Sequence, residues 1–402
     1  MIKYILDNKI KLIYEQKTGA LTSFCIGFNA GALEEEGVRY GVAHAVEHMV
    51  YKGTKNRSEA EINNLSDEIF GFSNAMTNYP YTIYYGTVGS EDFHKGFELM
   101  SDIVMNPIFP ESGFQEEMKV IEEELKDWKE DFEQHCEDIL LSNAFSNRRI
   151  KELIIGNKES IESITLKDIR NFYDSYYCPE NCVISVVSSH SYEEVLSIVE
   201  NCMGEWNKNF KGLKKVEYET NRPGLYRAEN SGAEGAKIQY VYSIHDLSEA
   251  EIKMLSVFNL ILGDGSSSIL FDTIRNQRGL AYEVYSTIKN ERGIKLFTIS
   301  VSTSKKHIEK VIHLIDECIA KMINNKYEMK KFEKAAKSYK LKQEFLMERS
   351  VELSKRLTTY ELMFQSCDKV YDDLKIESSC DFGKINELLH KVFKEPTIQV
   401  LS

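Results

Sequence analysis

His44-Ala45-Val46-Glu47-His48 is the stretch from which the rest of the chain can be read. On a helix, residues four apart lie on one face, one turn above each other. His44 and His48 therefore aim two imidazoles at one point, and Glu47 lies on the same side, three residues after His44. Two neutral imidazoles are a good pair of zinc ligands, and a nearby carboxylate can take a proton from a metal-bound water. The order is the reverse of the H-E-x-x-H helix. The chain has 9 histidines and 63 acidic residues in 402. At those frequencies roughly 0.03 matches to the pentapeptide arise by chance. The plainer alternative is two helix histidines that are packed or solvated and hold nothing.

A catalytic zinc takes three protein ligands and keeps an open position, so the third must come from elsewhere. Phe114-Gln115-Glu116-Glu117-Met118-Lys119-Val120-Ile121-Glu122-Glu123-Glu124-Leu125-Lys126 reads as an acidic helix. Glu117 and Glu124 lie two turns apart on one face of it. H-x-x-E-H, then 75 residues, then a Glu preceded by another Glu seven back, resembles the pitrilysin/insulinase family of zinc metallopeptidases. The resemblance implies one zinc per chain, held by His44, His48 and Glu124. It implies Glu47 as the base and Glu117 as a carboxylate that orients a ligand. Glu116, Glu122 and Glu123 read as a solvated charged face.

Composition sets the bounds. At 402 residues and 42% hydrophobic content the chain can fill two cores. With 28% charged residues and 6 prolines it does not read as disordered. A net charge of −13 with no basic stripe argues against nucleic acid as a partner. The first residues hold no apolar run of signal-peptide length, and no segment of 18 apolar residues occurs. A cytoplasmic location and no membrane association are therefore expected. Eight scattered cysteines without metal-binding spacing read as buried free thiols.

Along the chain, Lys9–Tyr14 and Leu21–Phe28 read as strands, and Ala30–Gly37 crosses to the motif helix at about 41–51. Gly53 caps that helix, and Ser58 with Glu61 opens another that runs to about Ile69. Residues 71–77 and 82–88 form a strand pair. The resemblance implies that Asn74 and Ala75 lie on an edge strand beside the metal, where a substrate peptide adds as one more strand. An ordinary hairpin is the plainer reading. Phe70-Gly71-Phe72 departs from the paired glycines frequent in the family. Phe93, Phe97, Met100 and Val104 face a core, and Thr165 with Asp168 opens a helix ending near Tyr177. Asn181–Val187 reads as a central strand. Ser188-Ser189-His190 is a second departure from the family, remote from the metal.

Polar, lysine-rich residues 206–222 read as a linker between a metal-binding domain, 1–205, and a repeat domain, 223–402. In the second half, strand 238–244, the Ser248/Glu251 capping box, strands 282–288 and 295–301, and the helix with Ile308, Val311 and Ile315 repeat the first. Glu117-Met118-Lys119 is echoed by Glu328-Met329-Lys330, with Ala335 standing where Glu124 stands. The second copy lacks the metal set, as a duplicated domain with one live site would. It carries Arg275-Asn276-Gln277-Arg278-Gly279-Leu280-Ala281-Tyr282, similar to the family's R-x-x-R-G-L-A-Y. The resemblance implies that Arg275 and Tyr282 contact substrate; a bare helix end capped by Gly279 is the alternative.

The fold expected is α+β: two similar domains from an internal duplication, each a mixed, mainly antiparallel sheet with helices packed on it. The implied function is zinc-dependent endopeptidase action on peptides or small unfolded polypeptides inside a chamber. The implied active unit is a homodimer, or a heterodimer with a related chain, in which Arg275 and Tyr282 reach the partner's metal. A non-catalytic, partner-dependent or peptide-holding subunit is the rival reading.

Overall fold

The computed structural model describes the chain except residues 36–38, 231, 233, 325–328 and 376–381. Part of the Ala30–Gly37 connection, Cys380, and Glu328 of the expected echo thus lie outside the described residues. The chain is α+β and divides into two compact units, each with its own sheet.

The first sheet has the order β1 (Ile2–Ile5), β2 (Lys11–Gln16), β6 (Cys182–Ser188), β3 (Leu21–Phe28), β5 (Thr82–Gly89), β4 (Phe70–Thr77). All neighbours are antiparallel except β2 and β6. β1 was not anticipated from sequence. β6 is central, and its mainly apolar run, broken by Ser185, is explained by burial on both faces. Cys182, Ile184 and Val186 enter the larger core, whereas Val183 and Val187 enter a second, smaller one. The larger core takes the buried stripe of the motif helix and of helix Phe93–Met105, whose Phe97, Met100 and Val104 are buried as their spacing requires.

The second sheet has the order β7 (Gly224–Ala228), β11 (Thr397–Leu401), β8 (Gly235–Ser243), β10 (Ile294–Ser304), β9 (Ala281–Glu291). Here β7 and β11 are the parallel pair, and the rest is antiparallel. Strand for strand this is the topology of β2-β6-β3-β5-β4, so the duplication read from the helix and strand pattern is present as connectivity. Ser58, Thr165 and Ser248 each close the capping box that their sequences announced.

The unit boundaries differ from the sequence-derived spans. The first unit comprises residues 1–126, 153–215 and 345–372, and the second 127–152, 216–344 and 373–402. Helix Phe132–Ala144 belongs with the second sheet. Its Glu133 meets the buried Lys237 ammonium at 3.0 Å, and Lys237 is also held by Glu283 and Ser302, each at 3.0 Å. Helix Ser350–Phe364 belongs with the first sheet. Ser185 Oγ donates to the Ser354 carbonyl at 2.6 Å and meets Thr358 Oγ1 at 2.8 Å. Val351, Leu353, Leu357 and Leu362 complete the smaller core. Apolar periodicity shows that such a helix has a buried face, but not which sheet buries it. Residues 206–223 carry no helix or strand. Their second part is nevertheless fastened: Glu219 accepts from the Ser146 and Asn147 amides, and Tyr218 stacks on His245.

Gly27 of β3 lies directly against the helix Ser350–Phe364. A Cβ there would meet Thr358 Cγ2 at 2.5 Å and Leu362 Cδ1 at 2.9 Å. We expect Gly27→Val to cost about 1–3 kcal/mol through overpacking, read as a lowered unfolding midpoint.

Candidate metal centre

The motif helix, Val42–Met49, buries Val42, Ala43, Ala45, Val46 and Met49. That leaves His44, Glu47 and His48 on the remaining face. Its start is fixed by two features. Gly41 has φ 98°, and a Cβ there would lie 2.2 Å from the Ile155 carbonyl oxygen. The buried Glu35 carboxylate accepts from the Gly41 and Ala43 amides, each at 3.0 Å. A carboxylate at this end satisfies free amides and complements the helix dipole. After Met49 the helix tightens into a 3-10 turn, Val50–Lys52, shorter than the expected span, and Gly53 at φ 127° follows.

Helix Phe114–Glu130 crosses beside it and turns Glu117 and Glu124 toward the histidines. His44 Nε2 and His48 Nε2 are 3.3 Å apart. Glu124 Oε2 lies 3.6 Å from the first and 3.5 Å from the second. Zinc–ligand bonds of about 2.0–2.1 Å at tetrahedral angles put donor atoms about 3.3–3.4 Å apart. The triangle therefore fits one zinc ion, with a corner left over for water or substrate. His44, His48 and Glu124 are the group of metal-ligand side chains found together among the described residues. The donor set, two imidazoles and a carboxylate, also suits zinc chemically.

His48 Nδ1 is 2.8 Å from Glu117 Oε1, so Glu117 fixes the tautomer that leaves Nε2 facing Glu124. Glu117 Oε2 is 2.5 Å from Lys52 Nζ. The buried His44 Nδ1 has no hydrogen-bond partner among the described residues. Electrostatics separate the two rings. Burial, then the neighbouring His48, push His44 down to about 4. Burial also opposes charge on His48, but hydrogen bonds to Glu117 and Glu124 outweigh it and raise it to about 9. Glu124 is held below the usual carboxylate range, first by its hydrogen bond with His48. Burial raises Glu47, and Thr77 Oγ1, which donates to Glu47 Oε2, works against that rise.

Thr77 and Lys52 were not singled out from sequence. Lys52 stands four residues after His48, one more step along the same face. Thr77 stands two residues after Ala75, which places both on one side of β4. Asn74 and Ala75 do lie on an edge strand, since β4 ends the first sheet. Asn74 is exposed, and its Oδ1 accepts from the Ala75 amide at 2.9 Å. Arg275 and Tyr282 belong to the second unit. Arg275 lies over the Phe271 ring at 4.7 Å, and Tyr282 is 72% exposed at the start of β9. Among the described residues the second unit has no matching metal-ligand group at its own helix Glu249–Leu262. There Asn259 pairs with Ser286 of β9 through both its amide atoms.

Fold and triad together define a two-domain α+β chain with an inverted metal-binding helix in its first unit. Residues 11–158 match the family described as insulinase (peptidase family M16), and residues 163–339 match the peptidase M16 inactive domain. The chain belongs to this pitrilysin/insulinase family and is of its short two-domain type. It is 27% identical to the uncharacterised zinc protease YmxG of Bacillus subtilis, covering 98% of this chain and 96% of that protein. It is 28% identical to the mitochondrial-processing peptidase subunit beta of Bos taurus, over 52% of this chain and 42% of that one. A protease from Helicobacter pylori has the same fold, with a TM-score of 0.90, 18% identity and coverage of 100% and 99%. Among the described residues no helix is long and apolar enough to cross a membrane.

If the triangle holds the ion, Glu124→Ala should sharply lower zinc content after purification, whereas Glu122→Ala should leave it unchanged. Metal analysis of the two variants side by side checks this.

Proposed function

We propose that the chain is a zinc-dependent endopeptidase that hydrolyses peptides or small unfolded polypeptides. The observation that carries this reading is the zinc-sized triangle of His44, His48 and Glu124 with Glu47 on the adjoining helix face. Zinc bound there supplies Lewis acidity, which polarises a substrate carbonyl and makes water acidic near neutral pH. Glu47 takes the proton of the water that attacks the scissile carbonyl. It then gives that proton to the departing amine nitrogen as the C–N bond breaks. Burial suits Glu47 to both halves of this task, because a raised carboxyl group accepts and returns a proton more evenly. Thr77 holds one Glu47 oxygen, which leaves the other to face the water.

Substrate binds as an added strand on the outer edge of β4, at Asn74 and Ala75. Backbone pairing of this kind tolerates varied side chains. Arg275 and the exposed Tyr282 offer a guanidinium and a hydroxyl to substrate carbonyl or carboxylate oxygens. The acting unit is two such chains, identical or related, in the cytoplasm. A relative named as the beta subunit of a processing peptidase supports the paired form. The rival is a subunit that holds peptide without cutting it. The description as an inactive domain falls on residues 163–339, the part without the triad. All four metal-site side chains are present in the other part, which favours the enzyme.

Three measurements test this. A quenched peptide pool should be cleaved by the zinc-loaded protein, lose cleavage to a chelator, and regain it with zinc; binding without cleavage would favour the rival. Glu47→Gln should keep zinc but lower kcat by about 10²–10⁴-fold. Thr77→Val should lower kcat about ten-fold, the order of one hydrogen bond to a charged group, and Thr77→Ser should restore most of it.

A further inference from the structure

We infer that Lys52 is a positioning residue of the metal centre: it holds one Glu117 oxygen so that the other stays on His48 Nδ1. The inference rests on the reading of His44, His48 and Glu124 as zinc ligands. Three observations support it. First, His44, His48 and Lys52 follow at intervals of four, so donor rings and ammonium project from one continuous stretch of helix and 3-10 turn. Second, Glu117 comes from the crossing helix and is only 8% exposed. Its two oxygens are both taken, Oε1 by His48 Nδ1 at 2.8 Å and Oε2 by Lys52 Nζ at 2.5 Å. A glutamate anchored at one oxygen can rotate about its terminal bond, whereas one anchored at both cannot. Third, Lys52 is itself fixed, because its Nζ also meets Glu59 Oε1 at 2.9 Å, at the start of the next helix.

Charge gives the lysine a second task. Glu47, Glu117 and Glu124 bring three carboxylates to a partly buried pocket, and the Lys52 ammonium, shared with the more exposed Glu59, places a positive charge against Glu117. Unpaired buried charge is costly. With Lys52 removed, Glu117 would be free to turn away from His48 Nδ1, and the imidazole would lose the partner that orients Nε2 and raises its basicity toward the ion.

The test is a double-mutant cycle on zinc affinity, measured by competition with a chromophoric chelator. Lys52→Met should weaken zinc binding by about ten-fold, the lower end for loss of an outer partner of a ligand. Lys52→Arg should restore it. In the Glu117→Gln background Lys52→Met should change affinity by less than about two-fold, because the two residues act as one unit. Lys52→Gln, uncharged but of similar shape, repeats the cycle if the methionine variant folds poorly. A purely structural lysine would lower the melting temperature without any dependence on residue 117. Unchanged affinity in both Lys52→Met and Lys52→Gln, or equal loss with and without Glu117, overturns the inference while leaving the metal site standing. Failure of the unmutated chain to bind zinc overturns both.

Discussion

Two imidazole nitrogens 3.3 Å apart, with a carboxylate oxygen within 3.6 Å of each, form an arrangement that needs a positive charge at its centre. Lone pairs this close repel unless a proton or a cation lies between them. The surrounding fold can be understood as what holds them there. Glu35 and Gly41 set the phase of the motif helix, and five small or aliphatic side chains dock its inner face. The crossing acidic helix is placed by Phe114, Met118, Ile121 and Leu125, which sit in the same core. Each fully buried aliphatic or aromatic side chain of this kind contributes about 1.5–3 kcal/mol, so the core can offset the cost of holding carboxylates in a half-buried pocket.

Among the described residues the second copy of the fold has no counterpart of this arrangement. Both units wind the same five-strand order, and both dock a capped helix against the strand at the sheet's end. In the first unit that junction leaves Thr77 facing an ionisable partner. In the second, Asn259 and Ser286 satisfy one another, and their neighbour Gly263 has no room for even a Cβ beside Ser286. The second junction is thus closed by neutral hydrogen bonds where the first presents a carboxylate.

Much of this was legible in the sequence because the informative signals are local. The pentapeptide, the capping boxes at Ser58, Thr165 and Ser248, and the central strand expected at 181–187 depend on residues a few positions apart. Glu124 needed the family resemblance, since its spacing from Glu117 puts the two on one helix face but does not say what that face meets. Lys52 and Thr77 were missed for the same reason: their partners lie 65 and 30 residues away. Strand β1 was missed because its four residues are exposed and so lack the alternation that marks a half-buried strand. The assignment of helices 132–144 and 350–364 to sheets is a non-local choice that periodicity does not encode.

That last feature has a bearing on how the chain is made. The smaller core on the first sheet, with Ile13, Cys25, Ile83, Val183 and Val187, is closed within its unit by residues 350–364. The strands it covers are finished by residue 188. At translation rates of about 5–20 residues per second, the ribosome needs on the order of ten seconds more before that cover emerges. A sheet formed as soon as its strands are made would carry one apolar face without its cover throughout that interval. The chain's residence on the ribosome is therefore the period in which it most needs shielding from other nascent chains.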